Sequence, residues 1–386
     1  MNKLLCSLTL ALVAWAQQPN PPVVSPEVHA DGSVTFRLRS PYAQKVTVGL
    51  EGLKDPLPMQ KDEQGVWSVK TDILAPDLYG YSYNVDGVHF LDPSNTEIKP
   101  NLMSLSNVVH VPGATPLPWE ASDIPHGVIH HHFYKSSVVG DNRDFYVYTP
   151  PGYDASASTR YPVLYLLHGY SDDASGWTAV GKANLIMDSL IAQNKVKPMI
   201  VVMTLGYGAP EIVHPTPGSS PFNNTVLRDR NFNYFRTALI DEVIPAVDRT
   251  YKTDSSRDAR AIAGLSMGGA ESLLTGLNRP DKFSWVGAFS MGGLSDDFAA
   301  DFPQLSAASN SQYHLIWIAC GTEDRLITLN RKLVAWAKEK GVKVTPIETP
   351  GMHTWMVWRR NLIAFTPLLF QGDSRVVRPA IITGQN

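Results

Sequence analysis

The segment Gly264-Leu265-Ser266-Met267-Gly268 carries the most chemistry in this 386-residue chain. It follows a short apolar run, Arg260-Ala261-Ile262-Ala263, and opens a helix-like stretch from Gly269 to Leu277. A serine on a sharp strand-to-helix turn needs small neighbours, because a side chain at either glycine would strike adjacent backbone. A serine hydroxyl is a poor nucleophile near neutral pH. A base must take its proton, and a third group must hold that base in one tautomer. On such a turn the acid and the histidine follow the serine in chain order. Of the eleven histidines, only His314 and His353 do so. His314 heads the apolar run His314-Leu315-Ile316-Trp317-Ile318-Ala319, which would hold it in a sheet. His353 lies in the loop Thr349-Pro350-Gly351-Met352-His353-Thr354-Trp355, between a strand and a helix, and is the preferred base.

The acid is expected at the end of the preceding strand, where Cys320-Gly321-Thr322-Glu323-Asp324-Arg325 stands. Asp324 is preferred because its shorter side chain suits a rigid hydrogen bond to the imidazole. Glu323, which would face solvent or Arg325, is the alternative. The oxyanion formed on attack needs two converging backbone N–H donors, and Met267 and Tyr170 are expected to supply them. His168, just before Gly169, is read as shaping that loop. The run His130-His131-His132 invites a metal, but neighbours on a strand point to opposite faces, so no metal site is expected. No cofactor is expected either.

These residues need a scaffold, and the apolar runs define it. Tyr161-Pro162-Val163-Leu164-Tyr165-Leu166-Leu167, Ile200-Val201-Val202-Met203 and 259–263 read as strands buried on both faces. Helix-like stretches 184–193 and 235–248 separate them, which predicts a parallel α/β sheet. The earlier chain is different. Residues 33–39, 45–50, 65–69 and 80–85 alternate polar and apolar, and Asp86-Gly87 before Val88-His89-Phe90 marks a hairpin. This predicts a small all-β sandwich over 19–113. Pro116, Pro118 and Pro125 make 114–126 a linker, 127–372 the α/β domain and 373–386 a tail. Residues 1–16 have the form of an export signal, with Lys3, an apolar stretch from Leu4 to Val13 and Ala14-Trp15-Ala16. Cleavage there would give a secreted, soluble protein whose one remaining cysteine, Cys320, reads as a small buried residue. Hydrophobic residues make up 44% and the net charge is −3, so neither disorder nor a nucleic-acid partner is indicated, and no membrane span is read.

With these pieces assembled, residues 127–370 resemble the family 1 carbohydrate esterases, the group of feruloyl and acetylxylan esterases. The resemblance rests on Tyr148-Thr149-Pro150-Pro151-Gly152-Tyr153, Leu166-Leu167-His168-Gly169, Asp241-Glu242-Val243-Ile244-Pro245, the serine turn with Gly269, Cys320 to Asp324, and His353-Thr354-Trp355 with Trp358-Arg359. It implies an α/β-hydrolase fold and hydrolysis of an ester on a plant polysaccharide through an acyl-serine. Gly65-Val66-Trp67, Tyr81-Ser82-Tyr83, Val85-Asp86-Gly87 and Asp92-Pro93 resemble immunoglobulin-like family 48 carbohydrate-binding modules. Trp67, Tyr81 and Tyr83 would then either stack on sugar or fill the core. The aperiodic, Pro-rich stretch 206–232 is expected to overhang Ser266. Tyr207, Phe222, Trp177, Trp355 and Tyr170 would form an aromatic wall suited to a feruloyl group on arabinoxylan. The alternatives are an acetylxylan esterase, a siderophore esterase of the enterochelin type using Arg228, Arg230 and Arg236, and a non-catalytic glycan binder. The first domain is expected to position glycan and to be dispensable for chemistry.

Overall fold

The computed structural model describes residues 21–214 and 221–371. The expected export signal, the tail and residues 215–220 of the Pro-rich stretch lie outside the described residues.

The alternating segments near the start form two antiparallel sheets around one core. One sheet runs Glu27–Val28, Val34–Arg39, Val66–Lys70, Gln60–Lys61. The other runs Leu57–Pro58, Val46–Leu50, Asp77–Val85, Ser106–Val111, Ile98–Lys99, with Val88–Phe90 folded back on Asp77–Val85. Asp86 and Gly87 make that hairpin with φ of 51° and 91°, as its two-residue turn requires. Trp67, Tyr81 and Tyr83 are buried in this core, and the Tyr81 hydroxyl donates to Asp92 at 2.8 Å. They offer no open ring face to a sugar.

The larger region is one eight-stranded sheet. In chain order its strands are β1 (Val128–Lys135), β2 (Asn142–Thr149), β3 (Val163–Leu167), β4 (Ile200–Thr204), β5 (Arg260–Leu265), β6 (Trp285–Phe289), β7 (Leu315–Gly321) and β8 (Thr345–Thr349). Their spatial order is β1-β2-β4-β3-β5-β6-β7-β8, with β2 antiparallel to both neighbours and β4 to β8 joined by parallel pairings. The continuous apolar runs have their predicted cause. In β3, Val163, Tyr165 and Leu167 enter one apolar cluster while Leu164 and Leu166 enter the other, on the opposite face. Among the described residues no helix is long and apolar enough to cross a membrane.

Two expectations need correction. The aperiodic stretch ends before 232, because a helix spans Thr225–Ala238, with Asn224 Oδ1 accepting from the Leu227 N–H at 3.1 Å. Polar residues on its outer face hide its periodicity in the sequence. The 114–126 segment is no free spacer. Trp119 is buried against the α/β core, with the Arg359 guanidinium 5.3 Å from its ring centroid. Past the segment, buried Asp188 accepts from the Gly127 N–H at 2.8 Å and the Tyr148 hydroxyl at 2.7 Å, fixing where β1 begins.

The β-region and the sheet domain share a polar seam. Arg359 and Arg360, on the helix Trp355–Phe365, each donate to one oxygen of Asp77 at 2.7 Å. Asp77 and Arg359 are fully buried. Arg359 also donates to the carbonyls of Leu78 and Val180, so both of its terminal nitrogens have partners, while its Nε has none among the described residues. Asp77→Ala is expected to destabilise the whole chain by about 3–5 kcal/mol, because it leaves a buried guanidinium uncompensated. Chemical denaturation checks this, with loss of sheet-domain structure and of β-region structure in one transition.

Candidate active site

β5 ends at Leu265, and the helix Met267–Gly276 begins two residues later. Ser266 between them has φ 51° and ψ −115°, a region L-residues avoid at about 1–3 kcal/mol. The turn closes only around glycines. A Cβ on Gly264 would lie 2.5 Å from the Gly268 carbonyl oxygen, and one on Gly268 would lie 2.4 Å from that of His168. Backbone bonds hold the strained residue, from the Ser266 N–H to Phe289 at 2.8 Å and from the Gly292 N–H to the Ser266 carbonyl at 3.1 Å.

The Ser266 hydroxyl donates to His353 Nε2 at 3.0 Å, and His353 Nδ1–H donates to Asp324 Oδ2 at 2.8 Å. Asp324 is buried at the end of β7. Its other oxygen accepts from the Leu326 N–H at 2.8 Å. Burial pushes the Asp324 carboxyl up, but the His353 bond and charge, with the Leu326 amide, outweigh it and hold the group below the usual range. Glu323 is exposed and, among the described residues, its side chain accepts only from its neighbour Thr322. His314 is remote, stacked on Trp285 and paired with Asp258. Of the competing candidates, the structure therefore brings Asp324 and His353 to the serine. Trp358 stands edge-on to the His353 ring at 4.9 Å, a neighbour that the sequence reading did not assign.

The loop after β3 reaches the same point. A Cβ on Gly169 would lie 3.2 Å from the Ser266 Cβ, so this loop runs directly beside Ser266. Among the described residues, neither the Tyr170 N–H nor the Met267 N–H is engaged by a turn, loop or side-chain acceptor. Both are available to an incoming oxygen. His168 fixes the loop. Its Nδ1–H donates to the Gly169 carbonyl at 2.8 Å, and its Nε2 accepts from the Gly206 N–H at 2.9 Å. Burial drives its pKa down to about 4, so the ring is neutral and serves as a pin between two loops.

The expected aromatic wall is only partly there. Trp177 and Trp355 are fully buried against each other, ring centroids 5.1 Å apart, and the Trp177 indole N–H donates to the Leu167 carbonyl. Tyr207 is buried with its hydroxyl on the Asp172 carbonyl at 2.8 Å. These three are packing residues, because the elements beside the nucleophile need an apolar backing. Phe222 is different. It is half-buried, meets the Tyr170 ring at 5.4 Å and stacks on Phe232 at 6.4 Å, and both phenylalanines pack against Gly293. Tyr170 adjoins Gly169 and Gly293 follows the residue bonded to Ser266, so this cluster lies close to the serine.

Of the three consecutive histidines, His130 and His132 pack on one face against Tyr251, and His131 points to the other, stacked on Tyr146. His130 meets Thr149, His131 meets Asp144 and His132 meets Tyr251. Among the described residues no group of three or more His, Cys, Asp or Glu side chains forms a metal-binding cluster. Cys320 is buried, which raises its thiol pKa to about 12.

A strained serine at the end of a parallel strand, hydrogen-bonded to a histidine and a buried aspartate on later loops, defines the serine-hydrolase class of the α/β-hydrolase fold. The family model described as "Putative esterase" matches residues 136–369, and the chain belongs to that family. It is 31% identical over 352 residues to an endo-1,4-beta-xylanase/feruloyl esterase of Xylanibacter ruminicola, covering 90% of this chain and 46% of that protein. The chain thus spans about half the length of the first curated relatives it matches. Among solved structures, a CE1 ferulic acid esterase from Anaeromyces mucronatus aligns with a TM-score of 0.56 at 22% identity, over 66% of this chain and 96% of that one. The enterobactin esterase FES from Shigella flexneri aligns with a TM-score of 0.64 at 19% identity, over 87% and 92%. Likeness at such identities establishes shared fold.

The site carries two expectations. Asp324→Asn should lower ester turnover by roughly 10⁴, as in a serine protease that loses its triad acid, while Glu323→Gln leaves it near the native rate. Initial rates on a soluble ester rank the pair. The second concerns Asp172, two residues after Tyr170. Burial raises its carboxyl pKa to about 7, above the 3.8 of the free group. A folded-state pKa raised in this way costs no stability below about pH 4, an increasing amount up to about pH 7 and a constant amount above. Asp172→Asn, which keeps an oxygen for the Asn101 amide, should therefore stabilise the protein at pH 8 and leave it unchanged at pH 3.5, measured by thermal melts across that range.

Proposed function

We propose that this chain hydrolyses hydroxycinnamoyl esters, feruloyl esters above all, carried by plant cell-wall xylan. The observation that carries the reading is the Ser266–His353–Asp324 line beside two free N–H groups and the Tyr170–Phe222–Phe232 cluster. The 31% identical relative, named for both xylanase and feruloyl esterase activity, supports the acyl group and the polymer. A planar aromatic acid offers ring faces for that cluster to pack against, which an acetyl group lacks.

In the reading, the Ser266 Oγ bonds to the ester carbonyl carbon while its proton passes to His353 Nε2. The carbonyl oxygen, now negative, lies toward the Met267 and Tyr170 amides. Asp324 holds the ring so that Nε2 faces the serine, and it stabilises the imidazolium. The carbon–oxygen bond to the sugar breaks, and the sugar oxygen leaves with the proton from His353. Water then gives a proton to His353 and its oxygen to the acyl carbon. The acid is released, and the proton returns to Ser266. Every step uses side chains and amides of this chain.

Export, the reading given to the pattern of residues 1–16, would fit a polymeric substrate outside the cell. An immunoglobulin-like, family 48-type identity for the β-region accords with its two antiparallel sheets and the quoted sequence pieces. Its glycan contacts would come from side chains other than Trp67, Tyr81 and Tyr83. A catecholate siderophore ester is the second reading, favoured by the enterobactin esterase alignment over both regions. Against it, the proposed cationic cluster is neutralised in part, with Arg228 paired to Asp229 and Arg230 to Glu211.

Hydrolysis of methyl ferulate, acetylated xylan and enterobactin, followed by product chromatography, separates the readings. The expected result is ferulate release as the fastest reaction, lowered roughly 10⁶-fold in Ser266→Ala. Phe222→Ala should raise KM for methyl ferulate and leave p-nitrophenyl acetate nearly unchanged. Faster turnover of enterobactin or acetylated xylan replaces the feruloyl assignment.

A further inference from the structure

Nothing in the serine–histidine–aspartate line explains what fixes the base from behind. His353 sits two residues before the helix Trp355–Phe365, whose N-cap position, Thr354, makes no side-chain cap bond. The first amides of a helix need an acceptor, and an anion is favoured there. That acceptor comes from the other region of the chain. Glu51, just past the strand Val46–Leu50, accepts from the Trp355 N–H at 3.0 Å through Oε1. Its Oε2 accepts from the Gly80 N–H at 2.9 Å and from the Lys99 ammonium at 3.2 Å. Only 11% of the Glu51 side chain is exposed. Burial alone would push this carboxyl up, but Lys99, Arg359 and the two amides outweigh it and hold it below the usual range.

Three further contacts show that this is a built joint. The Met356 side chain packs onto the β-region core beside Gly52. One turn further along the helix, Arg359 and Arg360 grip Asp77. Trp358, between these anchors, is the residue that meets the His353 ring. The helix that backs the base is therefore capped and clamped by residues of the β-region that precede it by some 300 positions in the chain.

We propose that Glu51 is a positioning residue for His353: by capping the Trp355–Phe365 helix across the domain seam, it sets where the imidazole stands relative to Ser266. The β-region is then an integral part of the hydrolytic site and cannot be a detachable targeting module. The inference rests on reading Ser266, His353 and Asp324 as the catalytic line.

The test uses the full chain with Glu51→Ala, Glu51→Gln and Ser266→Ala variants, each shown to be folded by circular dichroism. Two readouts matter: kcat and KM on methyl ferulate, and the labelling rate of Ser266 by a fluorophosphonate, which needs the base but not the feruloyl cluster. Misplacing a catalytic group by about 1 Å can cost roughly 100-fold, so kcat and labelling in Glu51→Ala should fall roughly 10- to 100-fold. KM should move by less than about twofold, as for a group that acts only on the chemical step. Glu51→Gln keeps one acceptor oxygen for three donors, and should fall several-fold without reaching the alanine value. Unchanged kcat and labelling in whichever Glu51 variant folds overturns the proposal, even if its melting temperature drops. A rise in KM alone also overturns it, since that would make Glu51 a substrate-binding residue. Labelling that survives Ser266→Ala sinks the catalytic reading itself. Loss of labelling in Ser266→Ala beside native behaviour in the Glu51 variants sinks only this inference.

Discussion

The backbone at Ser266 is the constraint from which the site is built. A non-glycine residue at φ 51° and ψ −115° persists only if its surroundings over-determine it. β5 fixes it from below through parallel pairing on both sides, Leu167 opposite Gly264 and Phe289 opposite Leu265. The helix Met267–Gly276 fixes it from above, and the close approaches at Gly264 and Gly268 leave no room to relax. One consequence is that the hydroxyl stands clear of the sheet. Another is that the Met267 amide, first in its helix, has no carbonyl of that helix to bond and is left for an acceptor beside Ser266.

The second partner, His353, is held by very different means. Its loop follows an edge strand, β8, whose residues are mostly half-exposed, and edge strands are poor foundations. Stiffness comes from the helix that follows, packed by Trp355 and Trp358 on one side and gripped by Asp77 and Glu51 on the other. A rigid element formed by local backbone thus carries Ser266, and an element rigid only through long-range contacts carries His353. The β-region belongs to the second, which is why a function limited to glycan tethering is too narrow for it.

Buried carboxyls mark the places where these parts join. Asp324 and Glu51 stay below the usual carboxylate range because positive groups and amides offset their burial. Asp172 has weaker compensation and is raised to about 7, at the point where Asn101 of the β-region meets the loop beside the nucleophile. Glu271, one turn behind Ser266 on the nucleophile helix, is fully buried with neither oxygen bonded to a described residue, and burial raises it well above the ordinary value. The same desolvation that strengthens the His353–Asp324 bond disfavours the charged form of Glu271.

What the sequence determined by itself is what local chemistry dictates. The Gly-x-Ser-x-Gly turn, the buried strands 163–167 and 200–203 and the hairpin at Asp86-Gly87 all depend on residues within a few positions of one another, and the order of serine, acid and histidine is read directly along the chain. Strand periodicity and turn sterics act at that range. The helix from Thr225 was missed because its outward residues are polar and prolines precede it, so no apolar period showed. Only tertiary structure decided which aromatics are buried and which are left half-exposed near Ser266. Trp177, Tyr207 and Trp355 have the composition of a binding wall, and their burial depends on elements far away in the chain. Glu51 and Asp77 likewise look like ordinary surface acids in strand-rich sequence. Their roles arise from docking against a helix about 300 residues later, and no local pattern encodes such a separation, because burial and partner choice are fixed only when two surfaces meet.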